Sequence, residues 1–138
     1  MNTFLLEIVT PDHAAYSGEV NGVSVRGIEG ELGILPGHIP FITPLQVAPV
    51  RIKIGNKYTS IAVSGGFVEV RKDKVVILAE SAELEMDIDV ERAIAAKERA
   101  ERRIVAVKTN QADIDFQRAE LSLKKAMNRI EVHSSLKK

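Results

Sequence analysis

The chain of 138 residues is 45% hydrophobic, 28% charged and 4% aromatic, and its 19 Lys/Arg balance 19 Asp/Glu. The apolar fraction argues against disorder, the neutral charge against a general nucleic-acid coat, and the lack of Cys excludes disulfides, thiol nucleophiles and thiolate metal sites. A reducing, cytosolic setting fits. Met1 to Glu7 lacks the basic start of a signal peptide, and no apolar run approaches the roughly 20 residues that span a bilayer, so membrane association is expected only through a partner.

From Thr3 to Ala79 short runs of Val, Ile and Phe alternate with Gly, Pro, Asn and Asp, an all-β rhythm. Predicted strands are Phe4 to Val9, Val23 to Arg26, Gln46 to Ile54, Lys57 to Ala62, Phe67 to Val70 and Lys74 to Leu78. Ile54-Gly55-Asn56-Lys57 reads as a tight hairpin, because Gly takes a positive φ without a Cβ clash. Arg71 to Lys74 reads as a second, solvated turn. Ser64-Gly65-Gly66 and Gly30 to Gly37 read as tight turns between strands, since neither carries a nucleophile elbow or the GKS/T ending of a phosphate loop.

After Ile88 Pro and Gly disappear, and the composition turns to helix formers. The charge changes with it: residues 1–87 hold 7 basic and 11 acidic side chains, residues 88–138 hold 12 and 8. Asp89 is placed to N-cap a helix, with Ile88 and Ala93 as a hydrophobic staple. A stripe of Ala93, Ala96, Ala100, Ile104 and Val107 recurs at helical spacing; Lys108 to Ala112 breaks it. Asp113 or Asp115 can then cap a second helix with the stripe Phe116, Ala119, Leu123, Ala126 and Ile130. The expectation is an antiparallel two-helix hairpin, frayed over Ser134 to Lys138. Alanine faces bury little area, so the hairpin should lean on the β half, and both a permanently docked and a detachable arrangement remain open.

No catalytic set stands out. His13, His38 and His133 lack metal-ligand spacing, and Asp87 and Asp89 read more simply as helix-capping residues than as a carboxylate pair. The helices carry basic faces: Arg92, Arg99 and Arg103 on one, Arg118, Lys125 and Arg129 on the other. If these faces met, their cations would repel unless an anion such as a polyphosphate lay between them. The alternative is solvated faces balanced by neighbouring acids.

Val9-Thr10-Pro11-Asp12, GELGILPGHIP (Gly30 to Pro40), SGGFVEV (Ser64 to Val70), IDVERA (Ile88 to Ala93) and RAELSLKKAMNR (Arg118 to Arg129) together resemble the ε subunit of bacterial F-type ATP synthases. The resemblance covers essentially the whole chain. It implies an α+β protein: an N-terminal ten-stranded β-sandwich, residues 1–84, followed by an antiparallel helical hairpin, residues 85–138. It further implies a non-catalytic central-stalk subunit of a proton-translocating synthase, whose sandwich binds the γ subunit and rests on the c-ring. Glu31 and His38 are the candidate rotor contacts. The hairpin would fold against the sandwich or extend to the α and β subunits and inhibit ATP hydrolysis. The location implied is the cytoplasmic face of the cell membrane, peripheral and only through the complex.

Relatives that bind nucleotide share I/L-D-x-x-R-A, which Ile88, Asp89, Arg92 and Ala93 match; Glu83 and Arg99 match further positions. On the second helix Arg129 keeps one expected arginine, and Lys125 replaces the other. Lys keeps the charge but loses the planar fork. The resemblance therefore implies ATP as a regulatory ligand of the folded hairpin, and nothing in the sequence calls for Mg²⁺. A purely structural coupling subunit without nucleotide binding is the alternative.

Overall fold

A computed structural model describes residues 2–110 and 113–135. Eight strands precede the helices: β1 (Phe4–Val9), β2 (Ala14–Val20), β3 (Gly22–Gly27), β4 (Gly30–Ile34), β5 (Phe41–Ile54), β6 (Lys57–Val70), β7 (Lys74–Ala79) and β8 (Ala82–Leu84). They join in the order β2-β1-β7-β6-β5-β3-β4, with β8 on β6; β1 runs parallel to β7 and every other pair is antiparallel. The sheet curls until β2, at one end of this path, lies against β5 and β8. The layers enclose one core of aliphatic side chains, with Leu6, Ile8, Ile52, Ile61, Val63 and Ile77 fully buried.

The expected β-sandwich is present, but with eight strands among the described residues rather than ten. The difference lies in β5 and β6, each 14 residues long. Their ladder pairs Ser64 with Val47 and Gly66 with Leu45 and passes over only Gly65, so the stretch expected to be a turn lies within one continuous strand. Gly65 and Gly66 have φ of 85° and 123°, and a Cβ on Gly66 would stand 2.0 Å from the Leu78 carbonyl oxygen. Gly30–Ile34, also expected to be a turn, is β4. Gly55, with φ of 62°, makes the predicted β5–β6 hairpin, and Arg71 N–H donates to the Lys74 carbonyl at 2.8 Å to close the β6–β7 turn.

A 3₁₀ turn (Glu85–Asp87) leads into α1 (Val90–Asn110), and α2 is Asp113–Ser135. Ala93, Ala100, Ala119 and Ala126 are all buried, while Ala96, Ile104, Phe116, Leu123 and Ile130 are partly buried. α1 continues through Lys108–Asn110, where a break was expected. Gln111, Ala112 and the terminus 136–138 lie outside the described residues, as do the side chains of Val107, Asp113 and Asp115. Ser134 still belongs to α2, its hydroxyl donating to the Ile130 carbonyl at 2.9 Å. The helices pack on each other, and α2 packs on β5 and β6. Among the described residues no helix is long and apolar enough to cross a membrane.

Candidate functional site

The corner between the sandwich and the hairpin is built by a chain reversal after β8. Glu85 fixes the 3₁₀ turn to β6: its carboxylate accepts the Ser60 N–H at 2.6 Å and the Thr59 hydroxyl at 3.4 Å. Asp89 then N-caps α1, its carboxylate accepting the Arg92 N–H at 3.1 Å and its carbonyl the Ala93 N–H at 3.0 Å. Ile88 clusters with Ala62 of β6 and Val132 of α2, so its burial is tertiary rather than the local staple expected with Ala93.

The C-terminal half of α2 runs back past the start of α1. There Arg129 donates from Nε to the Glu83 carboxylate of β8, both side chains about one third exposed. These elements surround a cavity of about 440 Å³, within the roughly 300–1,000 Å³ of small-molecule sites. Three arginines line it, Arg92, Arg99 and Arg129, with three acidic residues, Glu83, Asp87 and Asp89. Ala93 and Ala96 complete the lining, and their small side chains leave the space open.

Six of the eight nucleotide-site candidates read from the sequence line this cavity: Glu83, Asp89, Arg92, Ala93, Arg99 and Arg129. Ile88 does not, because its side chain is committed to the cluster with Ala62 and Val132. Lys125, one turn before Arg129, is half-buried and is not part of the lining; Arg103 and Arg118 are exposed elsewhere. Asp87 and Ala96 are additions. Asp87 could have been singled out, since only one of the two aspartates around Ile88 is needed as the cap, which frees the other to face the cavity.

The electrostatic expectation needs correction. The basic faces were expected to repel without an anion between them, yet carboxylates from β8, the 3₁₀ turn and the N-cap stand among the arginines. Matching charge thus comes from the corner itself, where the Arg129–Glu83 pair is closed. The cavity can take an anion on its guanidiniums while its carboxylates accept hydrogen bonds from N–H or O–H donors of the same ligand. Among the described residues no group of His, Asp and Glu could hold a metal ion.

The candidate rotor contacts lie on and after β4. Glu31 is largely exposed and pairs with Arg26 at 3.5 Å. His38 is partly buried, with Nδ1 2.7 Å from the Leu35 carbonyl oxygen and Nε2 2.7 Å from that of Arg71, so the ring is held between two carbonyl groups of the chain. Its ring meets Phe4 edge-on at 5.3 Å. Next to it Leu35, Ile39 and Ile42 are exposed by 64%, 82% and 67%, an apolar edge that the sequence reading did not single out. The available signal was a run of aliphatic residues in a Gly/Pro loop without strand alternation.

Two family models match the chain: the β-sandwich domain of the ATP synthase delta/epsilon chain over residues 3–85, and its long α-helix domain over residues 86–134. An ATP synthase epsilon chain from Halalkalibacterium halodurans is 59% identical over 132 residues, covering 96% of this chain and 98% of the relative. Another, from Alkalihalophilus pseudofirmus, is 58% identical with the same coverage. A chain in the structure of the Euglena gracilis mitochondrial ATP synthase superposes with a TM-score of 0.79 at 22% identity, covering 100% of this chain and 83% of that one, which shows a shared fold.

Proposed function

The chain belongs to the ATP synthase delta/epsilon family, with relatives that are epsilon chains, and from that premise we propose that it is a regulatory subunit of the central stalk whose docked hairpin binds ATP. It is a non-catalytic subunit. In this reading the sandwich meets the γ subunit and the c-ring of a proton-translocating synthase at the cytoplasmic face of the cell membrane, held there through the complex. The exposed apolar edge at Leu35, Ile39 and Ile42, beside Glu31, suits such a contact. The hairpin docks when ATP is bound and extends to the α and β subunits when it is not, where it hinders hydrolytic rotation.

The observation that carries the reading is the convergence of Arg92, Arg99 and Arg129 on one cavity at the N-terminal end of α1, where the helix dipole also favours an anion. ATP offers phosphate oxygens for the arginines and amino and hydroxyl donors for Glu83, Asp87 and Asp89. Because the cavity needs both helices and β8 in place, a ligand there favours the docked hairpin by its affinity difference between the two states.

Calorimetric titration of ATP, with and without Mg²⁺, tests this on the parent chain and on Arg92→Ala and Arg129→Ala. Each substitution is expected to weaken binding by about tenfold or more, the scale of a lost charge-assisted bond. Unchanged affinity in both would remove the site. The equal number of carboxylates and guanidiniums in the cavity favours a second reading, a purely structural coupling subunit. It would give neither heat nor a thermal shift with ATP.

A further inference from the structure

The surface that holds α2 on the sandwich carries little apolar material of defined shape. Its buried apolar cluster is small: Ala62 of β6, Ile88 and Val132. The buried alanines of α2, Ala119 and Ala126, lie about 160–180° around the helix from Asn128 and so add nothing to this surface, while the methyl group of Ala62 fits many heights and rotations of a helix about equally well. The Arg129–Glu83 pair adds a contact, but on the rim and through a long flexible arm, each partner about one third exposed.

One side chain in this interface is different in kind. Asn128 is only 4% exposed, and its Nδ2 donates to the Val63 carbonyl oxygen of β6 at 3.0 Å. Its Oδ1 is also buried and meets no donor among the described residues. A hydrogen bond has a direction and a narrow range of length, which an alanine contact lacks. The orphaned oxygen sets a cost against that bond, because docking strips it of water and returns no partner. A buried amide in an apolar helix interface that fixes register while giving up stability is a known physical device.

We propose that Asn128 is the register pin of the docked hairpin: its amide bond to Val63 selects the one height and rotation at which α2 sits on β6. The consequence falls on its neighbour. A rotation by one residue, about 100°, would swing Arg129 away from Glu83, and a slip by one turn would carry it about 5.4 Å along the sheet. Asn128 thus positions the Arg129 side of the corner without lining the cavity. The same residue keeps docking reversible, since undocking rehydrates Oδ1.

The test is made on the full chain without nucleotide, so its outcome does not depend on whether ATP binds. The sequence has no cysteine, so spin labels can be placed at Lys57→Cys and Leu121→Cys, both exposed. Electron–electron distance measurements should give one narrow docked distance for the labelled parent. Asn128→Leu should remain docked and gain a second distance displaced by about 5 Å, one helical turn. Asn128→Ala, which cannot clash, should show the same second distance. A single distance of parental width in either variant overturns the proposal, because packing alone would then set the register. So does complete undocking in both variants, which would make the amide an adhesive rather than a selector, or a parent distribution that is already broad.

Discussion

The sandwich and the docked hairpin are held by different amounts and kinds of contact. Seventeen buried apolar residues, almost all Leu, Ile, Val or Phe, form the sandwich core, whereas among the described residues the hairpin reaches the sandwich through a cluster of three, the buried Asn128 amide bond and the partly exposed Arg129–Glu83 pair. Branched side chains that interdigitate give a large, cooperative burial that is lost as a whole. Alanine faces give a small burial that can be lost locally while the rest stays folded. The sandwich thus has a large core of its own, and the hairpin is held on it by much less.

The strongest way to break that contrast is through β6, the strand common to both regions. Gly66→Ala would place a Cβ against the Leu78 carbonyl oxygen at a φ that L-residues rarely adopt, so the β6–β7 pairing must shift. The expected result is the loss of several kcal/mol and a lower thermal midpoint of the whole chain. If only the hairpin loosened, the sandwich would not be the cooperative unit described. Val132→Ala, by contrast, removes about 1–2 kcal/mol of burial at the three-residue cluster alone. It should raise hydrogen exchange in α2 and leave the sandwich midpoint unchanged. A matching fall in sandwich stability would merge the two regions into one.

How much of this could be read from the sequence follows the same division. β1 and β7 announced themselves by dense Val, Ile and Leu, and β3 by Val23 and Val25 alternating with Ser24 and Arg26. β2 did not, because the inner face of Ala14–Val20 is carried by Tyr16, Gly18 and Val20, with too few large apolar residues to mark a strand. β4 was obscured by its two glycines, and β8 by its length of three residues. β5 extends back through Pro44, beyond its predicted start at Gln46; Pro49, inside the predicted strand, is tolerated where the β3–β5 ladder shifts register between Ser24 and Gly27. The spacing of Arg92, Arg99 and Arg129 was legible because helical period is local. Glu83 and Asp89 came through the resemblance, but the pairing of Glu83 with Arg129 was not legible, since it is an ion pair across 46 residues. The pinning role of Asn128 was hidden for the same reason: its partner, Val63, is 65 residues away.

The smallest expected effect concerns the sandwich alone and depends on pH. The Arg71 guanidinium donates to Glu69 through Nε at 2.9 Å and Nη2 at 3.3 Å, and this hydrogen bonding holds the Glu69 carboxyl below the ordinary glutamate value of 4.5. The charges of Arg71 and Lys74 act in the same direction, and burial opposes them. A carboxylate with a depressed folded-state pKa stabilises the fold above its unfolded value, and that stabilisation disappears as pH falls through the folded one. Glu69→Gln should therefore lower the sandwich denaturation midpoint slightly at neutral pH, and the gap from the parent should close as pH falls below 4.5. The pair is solvent-accessible, so salt should narrow the gap at neutral pH as well. Denaturant titrations of parent and variant across that range read the difference directly. A gap that widened on acidification would mean that Glu69 is stabilised in its protonated form, and the assignment of the Arg71 pair as its controlling partner would be wrong.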